Sequence, residues 1–147
     1  MLIREFLEVC GLSWAAFSKN RQQWIKKWQS WDSGFVIEGR GQAACVSFSN
    51  INVFAFWGHC RNVWGIDTNL NYALLYEIYT EAYRKQGRAL TSLKKIAARF
   101  GVHPNTVSSY VTTLVDAGIM EKQVWSTGLE QKRIALRPKF HEIFEYK

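Results

Sequence analysis

Two short stretches of this sequence place hydrogen-bonding side chains along one side of a helical repeat. Ser18, Lys19, Gln22, Gln23 and Lys26 fall opposite a stripe of Phe17, Trp24 and Trp28, and Asn105, Thr106, Ser108, Ser109 and Thr112 fall opposite Val107, Val111 and Leu114. Amides and hydroxyls both donate and accept, which suits the edges of nucleic-acid bases, and ammonium groups suit phosphates. The second face has no charge of its own, so attraction to a phosphate backbone there falls to Lys94, Lys95, Arg99, Lys122, Lys132 and Arg133 around it. Taken singly, any Lys or Gln on an exposed helix face can equally be a solvating residue. Arg40 is the most pointed single candidate, because Gly39 and Gly41 flank it and a guanidinium so freed can enter a narrow electronegative groove. An exposed turn residue would look the same.

Other chemistry finds little support. His59, His103 and His141 lie far apart, and there is no HExxH, nucleophile motif or glycine-rich phosphate loop. The adjacent His59 and Cys60 are too few ligands for a metal site, and His103, just before Pro104, suits a helix cap beside a phosphate. Cys10, Cys45 and Cys60 are odd in number and widely spaced without a CxxC pair, which favours reduced, buried thiols over disulfides or zinc. Trp14, Trp24, Trp28 and Trp31 invite single-strand stacking, yet their spacing suits a core and a contact between modules better. Trp125 fits packing at a hairpin base more than stacking. No catalytic residue, metal or cofactor is expected.

The elements that must position these groups follow from periodicity. Leu93, Ile96, Ala97 and Phe100 fall at i, i+3, i+4 and i+7, Gly101 interrupts, and His103 to Thr106 gives a Pro-led start to a second helix that Gly118 stops. A helix-turn-helix needs a small residue in its first helix, a glycine in its turn and a β-branched residue in its second, and Ala97, Gly101 and Val107 supply them. Shifted by ninety residues, Ile3, Phe6, Cys10, Gly11, Leu12, Phe17 and Trp24 take the roles of Leu93, Ile96, Phe100, Gly101, Val102, Val107 and Leu114. Leu7 stands where the second copy has Ala97. Each copy leads into a hairpin: 35–38 through Gly39-Arg40-Gly41 to 42–48, and 120–125 through 126–128 to 132–137.

Between the copies, 71–86 reads as a leading helix with Leu75, Ile78, Tyr79 and Ala82 inward, ending at Gly87, and Phe140, Ile143 and Phe144 suggest a C-terminal helix closing the second core. The segment 50–66, with Phe54, Phe56, Trp57 and Trp64, reads as a joint between modules or as an exposed aromatic surface for a partner protein. The expected fold is therefore mainly α with small β-hairpins (α+β), two winged helix-turn-helix units forming an internal dimer, at 1–66 and 67–147.

At 147 residues the chain has room for one compact domain or two very small ones, and its net charge of +7 divides into +3 before Ile66 and +4 after. A polyanion is the natural partner of such a chain. Arg4, Glu5 and Glu8 interrupt any export signal, and polar residues break the longest uncharged run, 41–60. A cytoplasmic protein without membrane attachment is expected. Residues 89–137 resemble the winged helix-turn-helix domains of bacterial transcription regulators. The whole chain resembles the small DNA-binding components of the TraN kind from transfer regions of Gram-positive conjugative plasmids. That resemblance implies sequence-directed binding of duplex plasmid DNA near the transfer origin, as an accessory or regulator of conjugation alongside other conjugation or replication proteins, with transcription regulation as the wider role. Two reading heads in one chain would let a monomer span two major-groove segments about one helical turn apart. Two rivals stay open: a plasmid or phage replication initiator, and a protein-docking scaffold.

Overall fold

The computed structural model describes residues 1–66, 69–85, 90–127 and 131–138, the side chains of 85, 90–92, 122–127 and 131–138 excepted. The chain forms two compact units, Met1–Ala73 and a second beginning at Leu74.

Unit 1 opens with α1 (Ile3–Cys10), whose Ile3, Phe6, Leu7 and Cys10 are buried at helical spacing. Gly11, with φ near 65°, ends it: its N–H donates to Glu8 and that of Leu12 to Leu7, satisfying carbonyls that the helix leaves open. Ser13 then starts α2 (Trp14–Lys19), its hydroxyl accepting from the Ala16 N–H.

The expected single helix carrying Ser18 to Lys26 is in fact two. It breaks at Asn20 (φ −129°, ψ 38°), and α3 runs Arg21–Trp31. The reason is long-range. In one straight helix, Phe17 and Trp28 would stand about 16 Å apart along the axis, whereas their rings stack at 5.7 Å. Only a bend brings both into one core, and Asn, a poor residue for a helix interior, supplies it. The Trp24 indole N–H donates to the Ala16 carbonyl across the break. Around Trp28 gather Phe6, Phe35 and Phe54, all fully buried, in edge-to-face contacts of 5.2 to 6.4 Å. Trp14 and Trp24 are only half-buried.

The first hairpin is shorter than its sequence suggests. β1 (Val36–Glu38) pairs antiparallel with β2 (Cys45–Ser47), Ile37 opposite Val46, and a 3₁₀ turn at Gly41–Ala43 replaces the start of the expected return strand. Ala44 and Val46 point inward as the alternation predicts, but Cys45 is exposed, unlike the buried Cys10 and Cys60, and all three thiols are free. The N-terminus adds to this ribbon through Ile3 N–H to Ala44 and Val46 N–H to Met1. Buried Asp32 fastens its far end, accepting from the N–H groups of Gly34, Ser49 and Asn50 at 2.8 to 3.0 Å.

Within 50–66 the chain forms α4 (Ile51–Asn62), in which Phe54, Phe56 and Trp57 are buried, so these rings do not form the exposed aromatic surface that the sequence left open. Gly58 lets α4 approach α1 closely, since a Cβ there would sit 2.6 Å from the Cys10 carbonyl oxygen. Arg61 holds the approach: its guanidinium donates to the carbonyls of Cys10 (2.8 Å) and Gly11 (3.2 Å) and lies 4.0 Å over the Trp57 ring.

Unit 2 uses α5 (Tyr72–Lys85), with Leu75, Ile78, Tyr79 and Ala82 buried as expected, then α6 (Leu90–Phe100) and α7 (Pro104–Asp116). β3 (Met120–Thr127) and β4 (Gln131–Pro138) pair antiparallel with Val124 opposite Ile134. The described fold is thus mainly helical with two small antiparallel ribbons. The turn residues Gly87 and Gly128 and the expected C-terminal helix with Phe140, Ile143 and Phe144 lie outside the described residues.

Candidate nucleic-acid interface

The turn between α6 and α7 has a left-handed Gly101 (φ 66°), whose N–H donates to Ala98 while that of Val102 donates to Ala97. Ala97 and Val107, each about 1% exposed, close the angle between the helices. His103 caps α7: its Nδ1 accepts from the Asn105 N–H at 3.0 Å, and Pro104 takes the first helical position, where no N–H is needed. Val107, Val111 and Leu114 face the core, which turns Asn105, Ser108, Ser109 and Thr112 outward as one continuous face. Thr106 is half-buried, and the Thr112 hydroxyl donates back to the Ser108 carbonyl, keeping its acceptor capacity for a ligand.

Residues 82–123 match the IclR helix-turn-helix domain. The match spans the end of α5, α6, the turn, α7 and the start of β3, less than a third of the chain. Curated proteins and solved structures offer no match. With the geometry above, this similarity supports a winged helix-turn-helix DNA-binding module in unit 2, of a kind that serves transcription regulation.

Lys94 and Lys95 stand exposed on α6. Arg99, expected to attract phosphate freely, instead reaches Glu77 on α5 at 2.6 Å, so its charge is already paired. Lys132 and Arg133 occupy β4 positions opposite Ser126 and Trp125, next to the hairpin end. Their side chains, with those of Lys122 and Trp125, lie outside the described residues.

Unit 1 repeats the turn with a different surface. Gly11 reproduces the conformation and both hydrogen bonds of Gly101, and Ser13 caps α2 as His103 caps α7. The candidates there are divided: Ser18 and Lys19 belong to α2, and Gln22, Gln23 and Lys26 to α3, all exposed. The Ser18 hydroxyl donates into its own helix, to Trp14 at 2.9 Å, leaving only acceptor capacity outward. Arg40 is exposed at the hairpin tip between left-handed Gly39 and Gly41, as its sequence setting suggests.

Burial pushes the Cys10 and Cys60 thiols far up, Arg61 partly opposing this at Cys10, and desolvation lowers His59. Among the described residues no group of three or more His, Cys, Asp or Glu could hold a metal ion, and no helix is long and apolar enough to cross a membrane. Arg61 is a structural cation that sequence reasoning passed over. Its acceptors are backbone carbonyls some fifty residues away, which leave no mark in the local pattern.

Proposed function

We propose that this chain is a sequence-directed duplex DNA-binding protein that acts as a monomer and not as an enzyme. One observation carries the reading: an exposed, uncharged face of amide and hydroxyl groups on a capped α7, inside the stretch similar to the IclR helix-turn-helix domain. Asn105, Thr106, Ser108, Ser109 and Thr112 read base edges, while Lys94, Lys95, Lys132 and Arg133 hold phosphates. Unit 1 is a second, weaker head: Ser18, Lys19, Gln22, Gln23 and Lys26 meet the backbone on two short helices, and Arg40 enters the minor groove. The narrower role, an accessory or regulator of conjugative transfer, rests on the resemblance in size and two-module organisation to DNA-binding components of the TraN kind.

Selection of bound sequences from a random duplex library tests the reading. A consensus should emerge, and Asn105→Ala should weaken binding to it about tenfold while weakening unrelated duplex hardly at all. Equal losses on both would remove α7 from base reading.

A further inference from the structure

The break that separates α2 from α3 also opens a cleft of about 250 Å³, lined by Asn20, Gln23, Trp24, Lys27 and Asn69 of unit 1. That is below the ~300–1,000 Å³ typical of pockets for drug-sized ligands, which limits it to one ring system with its substituents. Its chemistry is specific. Trp24 is half-buried, and its N–H already bonds to Ala16, so the cleft meets a fixed aromatic surface and not a searching donor. Trp28 and Trp57 brace the indole at 5.7 and 5.3 Å. The Lys27 ammonium lies 5.4 Å from the Trp24 ring centre. Asn20, Gln23 and Asn69 bring three amides, none with a side-chain partner among the described residues. Among the described residues no carboxylate lines the cleft. Lys19 and Lys26, both exposed, flank Asn20 and Lys27 in sequence.

We infer that this cleft binds a nucleobase with its phosphate: the base stacks on Trp24, the amides meet its edge, and Lys27 swings from the ring to the phosphate. In a duplex the base is already stacked and its edge already paired, so the ligand is an unpaired nucleotide. The same chemistry is offered by a free nucleotide and by single-stranded DNA, and we favour the strand because exposed Lys19 and Lys26, next in sequence to the cleft residues Asn20 and Lys27, are cations available to its further phosphates. The inference goes beyond the duplex reading and does not depend on it.

The test follows the indole N–H resonance of Trp24, assigned with Trp24→Phe, as the full chain is titrated with an oligothymidylate, with thymidine monophosphate and with a blunt duplex. The oligothymidylate should move that resonance. Lys27→Ala should weaken single-strand binding roughly tenfold while changing duplex affinity less than twofold. A shift with the mononucleotide as well identifies the nucleotide itself as sufficient; a shift with the oligonucleotide alone identifies the strand as the source. The inference is overturned if neither ligand moves the Trp24 signal, or if Lys27→Ala weakens strand and duplex equally, since that is the mark of general charge. Asn105→Ala separates the two readings: if it leaves duplex binding intact, the α7 reading fails while the cleft stands.

Discussion

The two units turn the chain in the same way between two helices and secure that turn by opposite means. In unit 1 the helix that supports the turn, α4, comes after the hairpin, and its Arg61 reaches the Cys10 and Gly11 carbonyls at the end of α1 while covering Trp57. In unit 2 the helix tied to the corresponding place, α5, comes before the helix pair, and the tie is an exposed ion pair between Glu77 and Arg99. Behind its helix pair unit 1 packs stacked aromatic rings, whereas α6 and α7 of unit 2 bury aliphatic residues such as Ile96, Val111 and Leu114, the aromatic Tyr76 and Tyr79 being buried on α5. The turn geometry can therefore be kept while the support is supplied from either end of the chain, and the aromatic version bends the second helix where the aliphatic one leaves it straight.

The largest expected effect follows from that contrast. Trp28→Ala should cost unit 1 about 3–5 kcal/mol, since it removes a fully buried ring against which Phe6, Phe17, Phe35 and Phe54 pack. Leu114→Ala in unit 2 should cost about 2–4 kcal/mol. Urea unfolding of both variants tests the ordering, and a smaller loss for Trp28 than for Leu114 would mean that the aromatic cluster is not what holds unit 1.

The supports differ next. Arg61→Ala should destabilise by about 2 kcal/mol, because it leaves the Cys10 and Gly11 carbonyls without their donor and uncovers Trp57. Arg99→Ala should stay below about 1 kcal/mol, its side chain being 60% exposed. Thermal melts that rank these two arginines alike would erase the distinction.

How far the sequence reveals each unit follows from the same physics. The α6, turn and α7 pattern is legible because its helices are amphipathic and its turn is marked by glycine. By contrast, α4 hides because it is apolar on nearly every side, with Val53, Phe54, Ala55, Phe56, Trp57, Gly58 and Cys60 all buried, and a helix of that kind has no periodic stripe. The break at Asn20 is invisible to local pattern, since Phe17, Trp24 and Trp28 share one face of an unbroken helix; only the stack of Phe17 on Trp28 demands the bend. Among the candidate residues, exposure at Lys94, Asn105, Ser109 and Arg40 is legible, whereas the pairing of Arg99 depends on a neighbour on another helix.

Gly11 and Gly101 allow a closer comparison of the two turns. Both have φ near 65°, so alanine at either should cost about 1 kcal/mol for the left-handed conformation. A Cβ on Gly101 meets nothing within 4 Å, but one on Gly11 collides with the Asn62 side-chain amide. Gly11→Ala should therefore be the more damaging by a few tenths of a kcal/mol, the amide being able to swing away, and adding Asn62→Ala should remove the excess. Equal costs without the second substitution would show that α4 does not crowd the first turn.

The smallest effect concerns charge alone. Because Glu77 already answers Arg99, Glu77→Gln should leave stability within about 0.5 kcal/mol yet free a cation beside α7. A freed Arg99 that reaches phosphate should steepen the slope of log K against log salt for duplex binding by up to about 0.9, whereas Lys94→Ala should make it shallower by about the same amount. An unchanged slope in Glu77→Gln together with a shallower one in Arg99→Ala would mean that Arg99 holds phosphate while still paired, and the ion pair of unit 2 would then serve binding as well as support.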